Sequence, residues 1–203
     1  MQTLFKSGLL VCLWCSLTFA QQLISVGVKG GVPLTSFYAD TNYSHRRSPF
    51  FLAPTRSYNS SRNYAVGPEV EFRLPLHVSL ELDGLYRPLS ATYEYDELSP
   101  PNRITANSDC WQFSALAKYG LRFRKLKPFL EAGPSFRWIE HPRNRFLSDN
   151  GVAGGAGIDF RILHMRFEPE IRYTYWTASP PIAVVASLAS HHNQAEFLVG
   201  LLF

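Results

Sequence analysis

Beyond residue 22 the chain alternates apolar and polar residues over segments of about ten, each bounded by turn formers. Eight segments follow this period of two. Leu23 to Pro33 sets Ile24, Val26, Val28 and Val32 against Ser25, Gly27 and Lys29. Tyr64 to Leu74 sets Tyr64, Val66, Val70, Phe72 and Leu74 against Gly67, Glu69, Glu71 and Arg73. Val78 to Thr92 sets Val78, Leu80, Leu82 and Tyr86 against Ser79, Glu81, Asp83 and Arg87. Cys110 to Phe123 sets Trp111, Phe113, Ala115, Ala117, Tyr119, Leu121 and Phe123 against Gln112, Ser114, Lys118 and Arg122. Pro128 to Ile139 sets Leu130, Ala132, Phe136 and Trp138 against Glu131, Ser135 and Arg137. Gly151 to Arg161 is glycine-rich, with Ile158 and Phe160 opposite Asp159 and Arg161. His164 to Trp176 sets Met165, Phe167, Ile171, Tyr173 and Tyr175 against Arg166, Glu168, Glu170, Arg172 and Thr174. Asn193 to Phe203 carries Ala195, Phe197, Val199, Leu201 and Phe203 on one face and Glu196 on the other. Apolar residues recur at two and not at three and four, so the segments predict strands and not helices.

The connections alternate in length. Leu34–Asn63, Tyr93–Asp109, Glu140–Asn150 and Thr177–His192 are long, and the links after the second, fourth and sixth segments are short. Short periplasmic turns and longer outer loops are the asymmetry of an outer-membrane barrel, and an even strand count puts both barrel ends in the periplasm. The expected architecture is all-β: an eight-stranded antiparallel up-and-down transmembrane β-barrel. Two readings compete for the orientation of its faces. In a soluble, lipocalin-like barrel the charges lie outside; in a membrane barrel they line the lumen. Tyr64, Tyr86, Trp111, Trp138 and Tyr175 fall toward the long loops, and Phe72, Phe123, Phe160 and Phe203 toward the short turns. Two aromatic girdles are what membrane interfaces select, which favours lipid outside. The inward set then holds nine acids (Glu69, Glu71, Glu81, Asp83, Glu131, Asp159, Glu168, Glu170, Glu196) and nine bases (Lys29, Arg73, Arg87, Lys118, Arg122, Arg137, Arg161, Arg166, Arg172). The interior of eight strands is just wide enough for side chains to fill, so these charges read as a salt-bridge lattice more readily than as an ion-conducting pore.

Composition changes the picture at the N-terminus. Lys6 precedes an apolar stretch, Leu9 to Phe19, and Thr18-Phe19-Ala20 offers small residues at a signal-peptidase site. The stretch is too short for a spanning helix, which needs about 20 residues. Residues 1–20 are therefore expected to be a cleaved signal peptide and 21–203 the barrel domain. Cys12 and Cys15 raise a lipoprotein reading, but Val11 and Trp14 precede them where a small residue is expected. Without the signal, Cys110 is the sole cysteine, which leaves no intramolecular disulfide and no cysteine-based zinc cluster. The formal net charge of +4 does not indicate a nucleic-acid partner, because Lys and Arg are interleaved with Asp and Glu and no recognition motif is present.

Four runs carry a family resemblance: Gly67-Pro68-Glu69-Val70-Glu71-Phe72-Arg73-Leu74-Pro75, Glu131-Ala132-Gly133-Pro134-Ser135-Phe136-Arg137, Pro169-Glu170-Ile171-Arg172-Tyr173 and Phe197-Leu198-Val199-Gly200-Leu201-Leu202-Phe203. They resemble strands of the bacterial outer-membrane protein β-barrel domain family, the small OmpA/OmpX-like barrels, from about Leu23 onward. The resemblance implies recognition of the last strand, ending in Phe203, by the barrel-assembly machinery. It identifies architecture and says little of activity, since small barrels serve as anchors, adhesins, pores and enzymes. Pro68, Pro134 and Pro169 depart from ladder chemistry, because proline cannot donate to it. Local bulges, or strand ends above the membrane, are expected there.

Candidate chemistry is sparse. His191 and His192, with Ser187 and Ser190 nearby, are where a rim-site lipid-modifying enzyme would be sought, but nothing orders a Ser–His–acid set. No phosphate-cradling glycine loop is found; Gly154-Gly155-Ala156-Gly157 reads as small residues easing curvature or close packing. The long first loop, with Arg46, Arg47, Arg56 and Arg62, could contact anionic lipopolysaccharide. The sequence thus predicts a monomeric, porin-like but non-enzymatic outer-membrane protein with a structural or surface-interaction role. It assigns no catalytic, cofactor-binding or metal residues, and its expected partners are outer-membrane lipid and lipopolysaccharide.

Overall fold

The computed structural model of the chain describes residues 23–37, 40–42, 56–95, 102–121, 126–140, 148–177 and 192–203. Ten strands form one antiparallel sheet: β1 (Ile24–Pro33), β2 (Thr41–Asn42), β3 (Arg56–Asn59), β4 (Ala65–Arg73), β5 (Val78–Tyr95), β6 (Asn102–Gly120), β7 (Lys127–Glu140), β8 (Ser148–Ile162), β9 (Met165–Trp176) and β10 (Asn193–Leu202). The order β5-β4-β1-β10-β9-β8-β7-β6 closes on itself through β5–β6 pairing, so eight strands make an up-and-down barrel. Closure leaves no edge in the barrel wall, which lipid requires. Among the described residues no helix is long and apolar enough to cross a membrane. The predicted residues 1–20, Arg46, Arg47, Arg122 and Phe123 lie outside the described residues.

The pleat sends alternate side chains to opposite faces, and the outcome is unambiguous. Trp138 is 63% exposed and Ile171 59%, whereas Lys29, Glu81, Glu168 and Arg172 are at 0%. Charges line the lumen and aliphatic residues the outside, which rules out the lipocalin-like arrangement. The outer girdle is a register property: Tyr86 is paired with Trp111 and Trp111 with Trp138 across β5, β6 and β7. The Tyr86 and Trp111 rings lie 5.4 Å apart. Toward the short turns, Phe160 stacks on Phe167 at 5.8 Å.

Two expected loops contain strand. β5 and β6 stay paired out to Tyr95 and Asn102, well beyond the membrane-facing alternation that ended near Thr92 and began near Cys110. A strand that spans the bilayer needs only about 9–11 residues, so these 18- and 19-residue strands rise past it. Residues 102–107 lost the period of two because water, and not lipid, meets their faces. Within the first long loop, β3 pairs with β5 from Arg56↔Glu94 to Asn59↔Ala91, and β2 pairs with β3. Side-chain hydroxyls bind this ribbon, with Ser60 Oγ 3.1 Å from Ser90 Oγ and 3.0 Å from Thr92 Oγ1.

The in-strand prolines involve no bulge. Between β4 and β5 the pairs Val66↔Tyr86 and Glu69↔Asp83 share one register on either side of Pro68; only the rungs between them are missing. The same holds between Ser114↔Ser135 and Ala117↔Ala132 at Pro134, and between Gly157↔Glu170 and Phe160↔Phe167 at Pro169. On its other side each proline keeps its partner, Val28, Val152 and Val199 respectively. A proline therefore removes a donor on one flank without shifting a residue. The preceding glycines explain why the strands stay close: a Cβ on Gly67 would lie 1.7 Å from Gly84 O, and one on Gly133 2.0 Å from Ala115 O.

The short turns carry strain. Leu76 and His77 in the β4–β5 link, and Leu163 in the β8–β9 link, have φ of 65°, 65° and 56°. Non-glycine residues reach this region at about 1–2 kcal/mol each.

Two outcomes are expected of unfolding titrations in detergent micelles or lipid. Leu82→Arg or Ala117→Arg, which place a charge on the lipid face, should destabilise the inserted barrel by about 2–4 kcal/mol if near the midplane. Gly67→Ala should cost about 1–3 kcal/mol, because the added methyl meets backbone and forces β4 from β5. Gly120→Ala, whose Cβ would meet nothing closer than His77 O at 3.8 Å, should change stability little.

Candidate functional site in the barrel lumen

The inward positions of β1, β4, β5, β6, β7 and β9 converge on one buried lattice. Arg172, fully buried on β9, places Nη1 2.6 Å from Asp83 Oδ2 and Nε 3.1 Å from Glu131 Oε1. Its Nη2 lies 2.9 Å from Glu81 Oε1 and 2.8 Å from Glu170 Oε1. Lys29 Nζ reaches Glu69 and Glu170, each at 3.1 Å, and also pairs closely with Glu81. Lys118 pairs with the second oxygen of Glu81 and with Glu168 at 2.6 Å. Arg166 continues the chain of contacts from Glu168 to Glu71 at 3.0 Å and Asp159 at 3.1 Å. A separate pair joins Arg87 to Glu196.

Two carboxylate triads, Glu69/Glu81/Glu168 and Glu81/Glu131/Glu170, bring oxygens within 4.8 Å of one another, a spacing that could hold a metal ion. Here Lys29, Lys118 and Arg172 stand among those oxygens, so the protein's own cations supply the neutralising charge. The count is not even at depth. Among the described residues the buried groups are eight carboxylates (Glu69, Glu71, Glu81, Asp83, Glu131, Glu168, Glu170, Glu196) and six cations (Lys29, Arg87, Lys118, Arg137, Arg166, Arg172). The sequence reading balanced nine against nine. Of those eighteen, Arg122 lies outside the described residues and Asp159 is half-buried, while Arg161 is exposed at the short-turn mouth and the Arg73 side chain is 35% exposed. Arg161 and Arg73 lie in the last pairs before a turn, where the wall ends and water begins.

Toward the long loops neutral groups join the Arg87–Glu196 pair. Trp176 Nε1 donates to Gln194 Oε1 at 3.0 Å, and Gln194 Nε2 donates to Gln112 Oε1 at 2.8 Å. Arg137 lies between two rings, its Cζ 4.5 Å from the Trp176 centroid and 4.8 Å from that of Phe37. Cation–π contacts of this kind gain strength when desolvated. Above them Phe37, Leu89, Ala91, Cys110 and Ile139 form a buried apolar cluster. These inward apolar residues, with Leu85, Leu116 and Trp176, were not predicted from the sequence. Leu85 and Leu89 break the alternation of β5, and that break was the available signal.

The glycine run of β8 has a steric explanation. A Cβ on Gly155 would lie 2.6 Å from Glu131 Oε1, and one on Gly157 2.4 Å from Phe129 Cζ. Gly155 and Gly157 leave room for side chains that β7 projects across the narrow lumen. Of the rim candidates, His192 Nδ1 lies 3.0 Å from Trp176 O and its ring stacks on Tyr175 at 6.4 Å. Ser187, Ser190 and His191 lie outside the described residues.

Arg172→Ala removes the ion-pair partner of buried Asp83 and Glu131, while Glu81 and Glu170 keep Lys29, so it should lower stability by about 3–5 kcal/mol, the cost of removing one partner from a buried pair. Arg103→Ala is the control. Its pair with Glu94 at 2.8 Å lies on a side chain that is 72% exposed, and an exposed pair is worth about 0–1 kcal/mol. Urea unfolding followed by heat-modifiable gel migration distinguishes the two.

No family model matches the chain, and no curated protein matches it in sequence. Solved structures do. Neisserial surface protein A is similar with a TM-score of 0.52 at 11% identity, over 88% of this chain and 95% of that one. The outer membrane protein OprG from Pseudomonas aeruginosa is similar with a TM-score of 0.48 at 14% identity, over 89% and 91%. At such identities likeness speaks to fold alone. Closed on eight antiparallel strands, aliphatic outside and charged within, the chain has the fold of the small outer-membrane β-barrels.

Proposed function

We propose that this protein is a non-conducting scaffold of the bacterial outer membrane that presents an interaction ribbon at the cell surface. The observation that carries the reading is the lattice around Arg172, which joins Asp83, Glu81, Glu131 and Glu170 at one depth in the lumen. The apolar cluster of Phe37, Leu89, Ala91, Cys110 and Ile139 adds a second obstruction at the long-loop end. An ion entering this path must displace paired charges or strip its hydration against hydrocarbon, and neither is favourable. The lumen is thus better suited to stiffening the wall than to conduction.

The surface role is supported by the protruding β5–β6 hairpin and the β2–β3 ribbon laid on it, which give the outer end a defined sheet to present. Outer-membrane lipid on the aliphatic belt and lipopolysaccharide at the outer rim are the proposed environment. The barrel-assembly machinery is the proposed partner of the last strand, where Phe203 is 68% exposed. Export would proceed through residues 1–20, and the working unit would be a monomer without enzymatic activity.

Planar-bilayer recordings decide the central point. Purified wild-type protein should show no steady conductance. A reproducible ion-selective current, abolished by Gly155→Leu or another bulky lumen substitution, would overturn the scaffold reading in favour of a small pore.

A further inference from the structure

The short-turn mouth of the lumen holds a cavity of about 230 Å³. Among the described residues its walls carry five cationic side chains, Arg73, Lys118, Lys127, Arg161 and Arg166, against two carboxylates, Glu71 and Asp159. Lys118 and Arg166 already serve the lattice, and Arg166 takes up both carboxylates. That leaves Arg73, Lys127 and Arg161, of which Lys127 stands opposite Asp159 in the β7–β8 register. Arg73 has one distant ion pair, 3.7 Å from Glu71, and donates Nη2 to Ser25 Oγ at 2.9 Å. Lys127 and Arg161 are exposed and have no ion pair among the described residues.

The register makes this excess costly. Arg161 of β8 stands directly opposite Arg166 of β9, and like charges in facing positions destabilise a sheet. Arg166 Nη1 is buried with no hydrogen-bond partner, which is unfavourable for a charged donor. Arg73 approaches from β4, and Lys127 and Arg161 from the adjacent β7 and β8, around one concave space. A concave site with low-dielectric walls concentrates counter-ions. A planar carboxylate offers two oxygens to such a ring; a tetrahedral oxyanion offers three or more, and guanidinium forks match it.

We propose that the short-turn mouth is a binding site for a phosphate-bearing anion, held by Arg73, Lys127 and Arg161. The space admits a phosphate ester with a small alcohol, either a soluble metabolite or the headgroup of a lipid lying against the barrel rim. That this mouth faces the periplasm rests on the proposed orientation; the binding chemistry does not.

The test uses the full-length protein in non-ionic micelles. Calorimetric titration with inorganic phosphate probes the soluble source, and native mass spectrometry after delipidation from phosphatidylglycerol or phosphatidylcholine nanodiscs probes the lipid source. Either saturable phosphate binding or selective retention of phosphatidylglycerol supports the site, provided it weakens roughly tenfold per arginine lost in Arg161→Gln and Arg73→Gln. Both variants remove exposed or part-exposed groups, and heat-modifiable migration checks that they fold. Arg103→Gln, on the opposite end, should leave binding unchanged. Binding that is indifferent to Arg161→Gln and Arg73→Gln, or no binding of either probe, overturns the proposal. Neither result depends on the conductance measurement, so the scaffold reading stands or falls separately.

Discussion

Arg172 is a guanidinium group without access to water, and four carboxylates from β5, β7 and β9 meet on it. Much else in the barrel follows from the need to keep that group satisfied. A buried ion pair is not by itself a source of stability, since the desolvation of two charges can exceed their attraction. Its strength lies in what happens when one partner is missing, because the other is then left buried and alone. The lattice therefore acts on specificity. Sliding any strand by one residue would turn its charges into the lipid and its aliphatic residues into the lumen. With Glu69, Glu81, Lys29, Lys118 and Arg172 all interlocked across strands, one slip would strand several partners at once.

Backbone closure imposes the complementary constraint. Every rung not made inside a bilayer must be tolerated somewhere, and the prolines at 68, 134 and 169 each remove one donor. The structure absorbs them without losing register, keeping the rungs on the far side of each proline intact. Gly67 and Gly133, placed just before two of them, let the neighbouring carbonyl approach where a Cβ would otherwise stand. The expected bulges are thus unnecessary: a bulge would add a residue and flip the faces beyond it, at the expense of the lattice.

What was legible in the sequence followed the membrane. Where lipid lies on one side and the lumen on the other, the period of two is strong, and strand limits such as Asn193 and Trp176 were read correctly. Beyond the membrane-facing span both faces of β6 are largely exposed from Asn102 to Asn107, so those residues lack the pattern while remaining strand. The turns at Leu76, His77 and Leu163 gave no glycine or asparagine signal, although all three adopt positive φ. Inward charges were found because alternation locates them; inward Leu85, Leu116 and Phe129 were not, because an apolar residue on the polar face looks like an interruption of the strand and not like packing.

The lumen is also polarised along its axis. The deep lattice holds more carboxylates than cations, the short-turn mouth holds surplus cations, and the long-loop end is closed by an apolar cluster. These populations are tied by Arg166, which contacts Glu168 of the lattice and Glu71 and Asp159 of the mouth. Charge placed at the mouth is therefore felt inside. An anion beside Arg161 would offset the repulsion between Arg161 and Arg166 and leave Arg166 free to hold its carboxylates, so occupation of the mouth and cohesion of the lattice reinforce each other. At the long-loop end Phe37 and its neighbours form an apolar seal, and two charges lie next to it: Arg137, set between aromatic rings, and Arg87, opposite Cys110 and paired with Glu196.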